Sequence, residues 1–269
     1  MENEEEIYRR KMKYPWKGFL VFLGIYLVTL AAQYPVLYAQ AEIFIELMGD
    51  TVNFTTTQFA TFAMLQPLLL GVFAIYGGHR FSEKVQLRSL VNEKIEGPIE
   101  MDRKRFTLKE SVPFIVLFAV LIAVLNIGFD VLFQNWLPEA FQVNFSIPNF
   151  NQIASNILYQ GIGQEILLRW GIMTTLIYIF SSRGRDLNPW VFLVGMIFTA
   201  VLYGFAQSNV VVGVDIRFIT LLRTLLLNIL PGMAFGWLYY KFHFEAAVFS
   251  HVLSNMLIIL GNVLIVSVF

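Results

Sequence analysis

Apolar residues dominate the chain in seven stretches, each separated from the next by a polar or charged segment. A helix needs about 20 mostly apolar residues to cross a bilayer, and each stretch approaches or exceeds this length. We therefore predict an all-α fold, a multi-pass transmembrane helix bundle of about seven spans. The predicted spans are residues 18–40, 57–78, 112–133, 152–180, 190–207, 218–240 and 246–268.

The composition agrees with a chain that has lipid as its main solvent. Hydrophobic residues make up 57% of the 269 positions and charged residues 14%, against about 25% charged residues in soluble domains. The formal net charge is zero, and no basic patch on a soluble module suggests a nucleic-acid partner. The absence of cysteine excludes disulfides, thiol nucleophiles and cysteine-ligated metals.

Basic residues are distributed very unevenly between the two sides of the predicted membrane. Sixteen of the nineteen lie before the first span, in the segment 79–110, or in the short segments after the fourth and sixth spans. The opposite loops hold only Arg217, and Arg169 and Arg223 lie inside spans. Because positive charge is retained in the cytoplasm, we predict a cell-membrane protein with a cytoplasmic amino terminus. An odd number of spans places Phe269 outside.

Three regions are predicted along the chain. Residues 1–17 form a basic cytoplasmic amino-terminal segment, and residues 18–149 contain three helices with a cytoplasmic charged loop at 79–110. Residues 150–269 form a four-helix membrane core. In the loop at 79–110 charges alternate in sign, which favours a solvated, helix-containing connector at the headgroups. A docking site for a partner is the alternative.

Polar residues inside spans are costly in lipid and usually face a bundle interior or a wet cavity. The fourth span contains GIGQEILLRWG, in which Glu165 and Arg169 are four residues apart and share a helix face. Gln164 lies one step, about 100°, around the helix. A purely structural ion pair and a functional pair are both consistent with this spacing.

Further polar pairs occur in the last three spans. The seventh span contains His251 and Asn255, and the fifth ends with Tyr203 and Gln207, again four residues apart. Hydrogen bonding between helices is the simpler interpretation of both. The sixth span contains Arg223, Asn228 and Pro231, followed by a small-residue ridge, Gly232 and Gly236, that allows close helix approach. Gln66, Asn126 and Asp130 are also intramembrane, and no role is assigned to them.

The order of these features resembles the CAAX-protease and bacteriocin-processing family, also called the Abi or self-immunity family. The resemblance covers about residues 150–260 and rests on ExxxR, an aromatic-xxx-polar turn, GxxxG followed by LYYK, and HxxxN. It implies an intramembrane peptidase that cleaves near the carboxy terminus of a peptide or lipidated protein. In active members a paired glutamate precedes the arginine and the second motif is FxxxH, and these groups activate a water. The third motif supports or forms an oxyanion site.

The resemblance assigns Glu165, Arg169, His251 and Asn255 to family positions. Gln164 occupies the place of the first glutamate, and Tyr203 with Gln207 occupies the aromatic and histidine of the second motif. A neutral amide has no useful basicity. We therefore predict a pocket with no carboxylate–imidazole pair able to deprotonate water. A metal once considered for the family is not supported, because Glu165 and His251 fall short of three ligands, and no cofactor is predicted.

Three hypotheses follow. The first is a catalytically impaired member that binds a membrane-embedded or lipidated peptide, or a partner's transmembrane helix, in a polar cavity. The second is a working endopeptidase with Glu165 as base and His251 and Asn255 as stabilising groups. The third is an unrelated transporter or channel with Glu165, Arg169 and Arg223 along its pathway. One conflict arises from the predicted spans, since Gln207 and His251 differ in depth by roughly 15–20 Å.

Overall fold

The computed structural model describes residues 14–49, 53–136, 147–208 and 218–268. In these ranges every predicted span is a helix, and a short helix lies between the second and third spans. The helices are α1 Trp16–Met48, α2 Thr56–Phe81, α3 Leu90–Glu96, α4 Leu108–Phe133, α5 (150–180), α6 Pro189–Ser208, α7 Phe218–Lys241 and α8 Phe244–Val268. Short 3₁₀ turns at Glu83–Val85 and Gln134–Trp136 complete the described structure.

Capping residues explain where three of the long helices begin. Thr55, Thr107 and Asn149 each accept a hydrogen bond from the backbone N–H three residues later, at Gln58, Glu110 and Gln152. The Gln or Glu side chain accepts in return from the backbone N–H of the capping residue. This reciprocal arrangement satisfies donors that have no partner within the helix. The helix starts are therefore encoded locally, outside the apolar runs.

Length and hydropathy identify five helices among the described residues that are suited to crossing a membrane. They are Trp16–Met48, Thr56–Phe81, Leu108–Trp136, Phe218–Lys241 and Phe244–Ser267, and Pro189–Gly204 is a shorter apolar helix. Helix α5 carries the polar residues of the fourth predicted span and packs against α1, α2, α6, α7 and α8. The prediction of a multi-pass helical bundle is confirmed. The number of seven spans and the three-region division of the chain stay predictions.

The charged loop predicted at 79–110 is shorter and more ordered than a solvated connector. Residues 79–81 belong to α2 and residues 108–110 to α4. Glu245, in the first turn of α8, accepts hydrogen bonds from the hydroxyl of Ser89 and the backbone N–H groups of Leu90 and Val91. The prediction of a solvated loop is therefore wrong for the start of α3, because this carboxylate binds its N–H groups and draws it onto the bundle.

Arg103 attaches a second part of this segment to the helix bundle. Its guanidinium donates to the carbonyl oxygens of Tyr240 and Gln86 at 2.8 and 2.6 Å and lies over the rings of Phe192 and Tyr240. Cation–π and charge-assisted contacts of this kind compensate a partly desolvated arginine. The segment 82–107 thus covers one end of the bundle. Arg9, Arg10, Lys11, Lys13, Arg217 and Phe269, on which the predicted orientation partly depends, lie outside the described residues.

Close contact between α2 and α5 depends on glycine. A Cβ added to Gly171 would lie 2.2 Å from the Cβ of Ala74 and 2.6 Å from its Cα. Small residues at such crossings bring two backbones within van der Waals range in a membrane bundle. The sequence analysis did not identify this contact, although Ala74 with Gly78 and Gly171 with Thr175 both have small-xxx-small spacing.

We expect Gly171→Ala to destabilise the protein by about 1–3 kcal/mol, the usual cost of forcing an extra methyl into a packed core. Thermal unfolding in detergent would measure the change. Gly24→Ala is the matched control, since a Cβ at Gly24 meets nothing within 4 Å, and we expect it to leave the melting temperature unchanged or slightly raised. Equal melting temperatures for both variants would contradict the packing described here.

Candidate functional site

The site is centred on an unusual stretch of α5. Two π-helical segments, Ser155–Gly163 and Ile166–Met173, leave Gln164 and Glu165 at the junction between them. The remaining parts of the helix, Phe150–Ala154 and Thr174–Phe180, are α-helical. π-Helical geometry within an α-helix is frequent at functional sites. The change in backbone geometry thus occurs at Gln164 and Glu165, the two residues that the sequence analysis identified by their polarity.

Glu165 is fully buried, and one of its carboxylate oxygens contacts the side chains of two other residues. Its Oε1 lies 2.8 Å from Nδ1 of His251 and 3.3 Å from Nη1 of Arg169. Its Oε2 is buried and has no hydrogen-bond partner among the described residues. The predicted pairing of Glu165 with Arg169 is present, and the distant His251 is brought to the same carboxylate.

The other contacts of His251 and Arg169 fix their orientation. The His251 ring stacks on Phe235, with 4.4 Å between ring centres. Arg169 donates from Nη2 to the carbonyl oxygen of Gly232 at 2.9 Å and lies over the same Phe235 ring. Since Phe235 and Gly232 both belong to α7, this helix holds the cation of α5 and the imidazole of α8 in place.

The small-residue ridge of α7 faces α6, as its spacing suggested. A Cβ on Gly232 would lie 2.9 Å from the Cβ of Ala200, and one on Gly236 would lie 2.9 Å from Cγ of Met196. The two glycines thus permit a close approach of α6, which carries the second motif. Pro231, just before this ridge, lies within α7 at the wall of the cavity.

The structure brings a carboxylate and an imidazole into contact, those of Glu165 and His251, and the predicted lack of a pair able to deprotonate water stays a prediction. Because a carboxylate accepts hydrogen bonds, Nδ1 of His251 donates to Glu165 Oε1. A neutral imidazole held in this way keeps Nε2 as its proton acceptor. The second hypothesis placed Glu165 and His251 in one site, but the direct contact between their side chains across two helices was not foreseen from the sequence.

Gln164 lies at the cavity wall and is held by the second-motif helix. Its Oε1 accepts a hydrogen bond of 2.7 Å from the Tyr203 hydroxyl. The side chain of Gln207 lies outside the described residues, although its backbone forms part of α6. Tyr203 lies one turn before Gln207 and contacts Gln164, the neighbour of Glu165 on α5. At this point α5 and α6 are therefore at the same depth in the bundle. The depth conflict between Gln207 and His251 itself stays open.

A cavity of about 530 Å³ connects these residues to a wider polar interior. Asn255 donates from Nδ2 to the carbonyl oxygen of Asn156 at 2.8 Å and lines the cavity together with Gln164, Arg169 and His251. Ligand pockets commonly have volumes of about 300–1,000 Å³. Glu165 is not part of the wall, because Arg169 and His251 stand between its carboxylate and the open space.

The sequence analysis missed a row of amides along α5. Gln152, Asn156, Gln160 and Gln164 follow one another at four-residue intervals, and all of them line the cavity. The signal was present in the printed sequence, since a regular i, i+4 spacing places residues on one face of a helix. The pattern was not identified because amides carry no charge, and burying one amide costs less free energy than burying one charged group.

A second ion pair also faces this space and joins Arg223, named in the third hypothesis, to Asp130, to which the sequence analysis assigned no role. Arg223 donates from Nε and Nη2 to the two carboxylate oxygens of Asp130 at 2.7 and 3.1 Å. Both residues line the cavity, at a distance along α7 from the Arg169 contact. The pair joins α4 to α7, so α4 contributes to the cavity even though it lies outside the motif-bearing region.

The donor set does not fit a metal site. Within the described parts of the chain no three His, Asp or Glu side chains are grouped in a way that could hold a metal ion. Glu165 and His251 supply two ligands, and protein zinc sites need at least three. The nearest further cavity-facing groups are amides and a guanidinium.

Comparison with known proteins identifies the carboxy-terminal part of the chain. Residues 146–257 match the family model described as type II CAAX prenyl endopeptidase Rce1-like. The match confirms the resemblance to the CAAX-protease and bacteriocin-processing family and includes Gln164, Glu165, Arg169, His251 and Asn255. No curated protein and no solved structure matches the chain.

Proposed function

We propose that this CAAX-protease-like membrane protein, whose residues 146–257 form an Rce1-like domain, binds a membrane-embedded or lipidated peptide without cleaving it. One observation carries the proposal. At the cavity wall, where the family pattern has its first glutamate, stands Gln164 with its Oε1 bound to the Tyr203 hydroxyl. The chain keeps the groups that hold a ligand and lacks the group that activates water.

The chemistry of Gln164 supports this assignment. A general base must take a proton in the transition state, and a carboxamide oxygen is far too weakly basic for that role. Gln164 can hold a water or a peptide N–H, but the water keeps both protons. The adjacent carboxylate of Glu165 is a poor substitute, because it is fully buried and Arg169 and His251, which both contact it, separate it from the cavity.

The retained residues suit binding. Arg169, His251 and Asn255 each have a fixed orientation and present polar groups to the cavity. The family pattern gives the third motif an oxyanion-stabilising role, and the same donors can hold the carbonyl oxygen of an intact peptide bond. We place the protein in the cell membrane with its amino terminus and the segment 82–107 in the cytoplasm, on the basis of the asymmetry of basic residues.

A binding and cleavage assay tests the proposal. We expect the purified protein in lipid nanodiscs to retain a farnesylated, fluorescent peptide while mass spectrometry detects no cleaved product. Asn255→Leu should weaken retention, since it removes a donor from the cavity wall. Gln40→Leu, an amide exposed on α1, is the control and should bind like the wild type. Cleavage by the wild type that disappears in both His251→Ala and Glu165→Gln would overturn the proposal.

The same geometry favours one alternative, an active endopeptidase. The hydrogen bond of 2.8 Å between Glu165 and His251 orients the imidazole, as a buried carboxylate does in a Ser-His-Asp triad. His251 would then be the base, and Glu165 would hold its tautomer. This differs from the arrangement expected from sequence, in which Glu165 itself took the proton. Wild-type cleavage that is lost in His251→Ala and only reduced in Glu165→Gln would favour it, since Glu165 would orient the base without taking the proton itself.

A further inference from the structure

The two guanidiniums at the cavity wall are each neutralised by a carboxylate of the same chain. Arg169 is paired with Glu165, and Arg223 makes a two-point contact with both oxygens of Asp130. Arg–carboxylate forks of this kind are the usual means of recognising an anionic ligand. Here both are already occupied within the protein, so an incoming carboxylate would find no uncompensated positive charge among the described residues of the wall.

From this arrangement we propose that the cavity recognises the uncharged main chain of an internal, extended peptide segment and discriminates against a free terminal carboxylate. The inference rests on the proposed function and specifies its ligand. Besides the two ion pairs the wall carries amides of four helices, most of them on two: Gln152, Asn156, Gln160 and Gln164 of α5, Asn255 and Asn262 of α8, Asn126 of α4 and Asn228 of α7.

Amide side chains match peptide groups in hydrogen-bonding capacity. A primary amide offers two N–H donors and a carbonyl acceptor, and each peptide unit offers one donor and one acceptor. Part of this capacity is used within the protein, because Gln160 donates to Asn156 Oδ1 at 2.6 Å and Asn255 donates to the Asn156 carbonyl. The Oε1 atoms of Gln152 and Gln164 are also engaged, by the Asn149 backbone N–H and the Tyr203 hydroxyl. Donors therefore outnumber free acceptors in this set of amides, which suits the carbonyl oxygens of a peptide main chain. Since every residue has a main-chain carbonyl, recognition through it tolerates many sequences.

The length of the polar wall sets the length of the segment. His251 and Asn262 both line the cavity, and eleven residues of α-helix at 1.5 Å each separate them by about 16 Å. An extended chain advances about 3.3 Å per residue, so about five residues span the same distance. Burying a free carboxylate among these neutral groups would carry the full desolvation cost of an unpaired charge.

Matched peptides test the proposal with the full-length protein in nanodiscs. The probe is a fluorescent, acetylated seven-residue Ala/Leu peptide, made with a carboxy-terminal amide, with a carboxy-terminal acid, and with alternate main-chain nitrogens methylated. Fluorescence polarisation measures binding. We expect the amide form to bind at least tenfold more tightly than the acid and than the N-methylated form. Gln160→Leu should weaken binding of the amide form about two- to tenfold, the equivalent of one hydrogen bond, and Gln40→Leu should not.

The possible results separate this inference from the proposed function. Tighter binding of the acid form, lost in Arg223→Met, would overturn main-chain recognition while leaving a non-cleaving binding protein. Equal binding of the N-methylated peptide would do the same. Cleavage of any of the peptides would overturn the proposed function. If none of the three binds but a hydrophobic transmembrane peptide does, the occupant is a helix and the inference is wrong.

Discussion

The double substitution Gln164→Glu with Gln207→His is expected to produce a measurable peptidase, whereas the proposed function predicts no cleavage by the wild type. Each restored acid–base group contributes roughly 10²–10⁴-fold to rate in enzymes generally. The new carboxylate would stand at the cavity wall, where Gln164 now stands, while Glu165, Arg169, His251 and Asn255 keep their contacts. Release of a fluorescent product from a farnesylated quenched peptide, followed over hours, would measure the gain.

Gln160→Glu combined with Gln207→His is the matched control. It adds the same charge to the same cavity one turn away, so a general effect of negative charge or of the new histidine would show in both proteins. We expect turnover only with the carboxylate at position 164. If wild type already cleaves and the double substitution adds little, the Glu165–His251 pair is a working site and the binding proposal is wrong.

Removal of the Glu165 carboxylate is expected to lower the free energy of unfolding by about 3–5 kcal/mol. Glu165→Ala would leave the buried Arg169 and the half-buried His251 beside an empty space, and uncompensated buried charge is the main cost of breaking such pairs. Thermal unfolding of the purified protein in detergent would detect the loss. Reduced expression of this variant would therefore carry no information on catalysis.

Two further variants separate the ion pair from simple packing. Replacing both charges, as Glu165→Met with Arg169→Met, should recover much of the stability, since apolar pairs replace buried ion pairs at little cost. Recovery should be incomplete because Arg169 also binds the Gly232 carbonyl. Asp130→Ala should cost less, as the Asp130 and Arg223 side chains are 14% and 24% exposed. Equal losses from Glu165→Ala and Asp130→Ala would contradict this ranking.

Most of the helical architecture could be predicted from the sequence because the signal is local. Runs of about 20 apolar residues determine helix position almost directly, and the predicted second span, 57–78, lies within Thr56–Phe81. The first helix extends to Met48, beyond the predicted end at 40. Its last turns contain Gln40, Glu42 and Glu46, which lowered the apparent hydropathy although they do not end a helix.

The candidate site was predictable only where its contacts are local or marked by a motif. The pairing of Glu165 with Arg169 follows from four-residue spacing. The contact of Glu165 with His251 joins residues 86 apart, and the sequence gave no geometric reason for it beyond the family resemblance. The pairing of Arg223 with Asp130 was missed for the same reason. Charge and spacing identify candidates, whereas their partners depend on how helices pack.

In the segment 82–107 the charge pattern and the observed burial disagree. Alternating charge is typical of a solvated surface, yet Arg88, Ser89 and Asn92 are buried. The decisive group is Glu245, more than 150 residues away, whose carboxylate binds the first turn of α3. No pattern within the segment itself could have indicated this.

The glycine contact between α2 and α5 has a consequence for trimming the protein to its homologous part. A fragment limited to residues 146–257 would keep the motif-bearing side of α5 and lose Ala74, against which Gly171 lies. The face of α5 that carries Gly171 would then be exposed to lipid, with no neighbouring helix packed against the glycine. We therefore expect the amino-terminal helices to be needed for the stability of this fragment. The same helices supplied as a separate chain should be able to restore it.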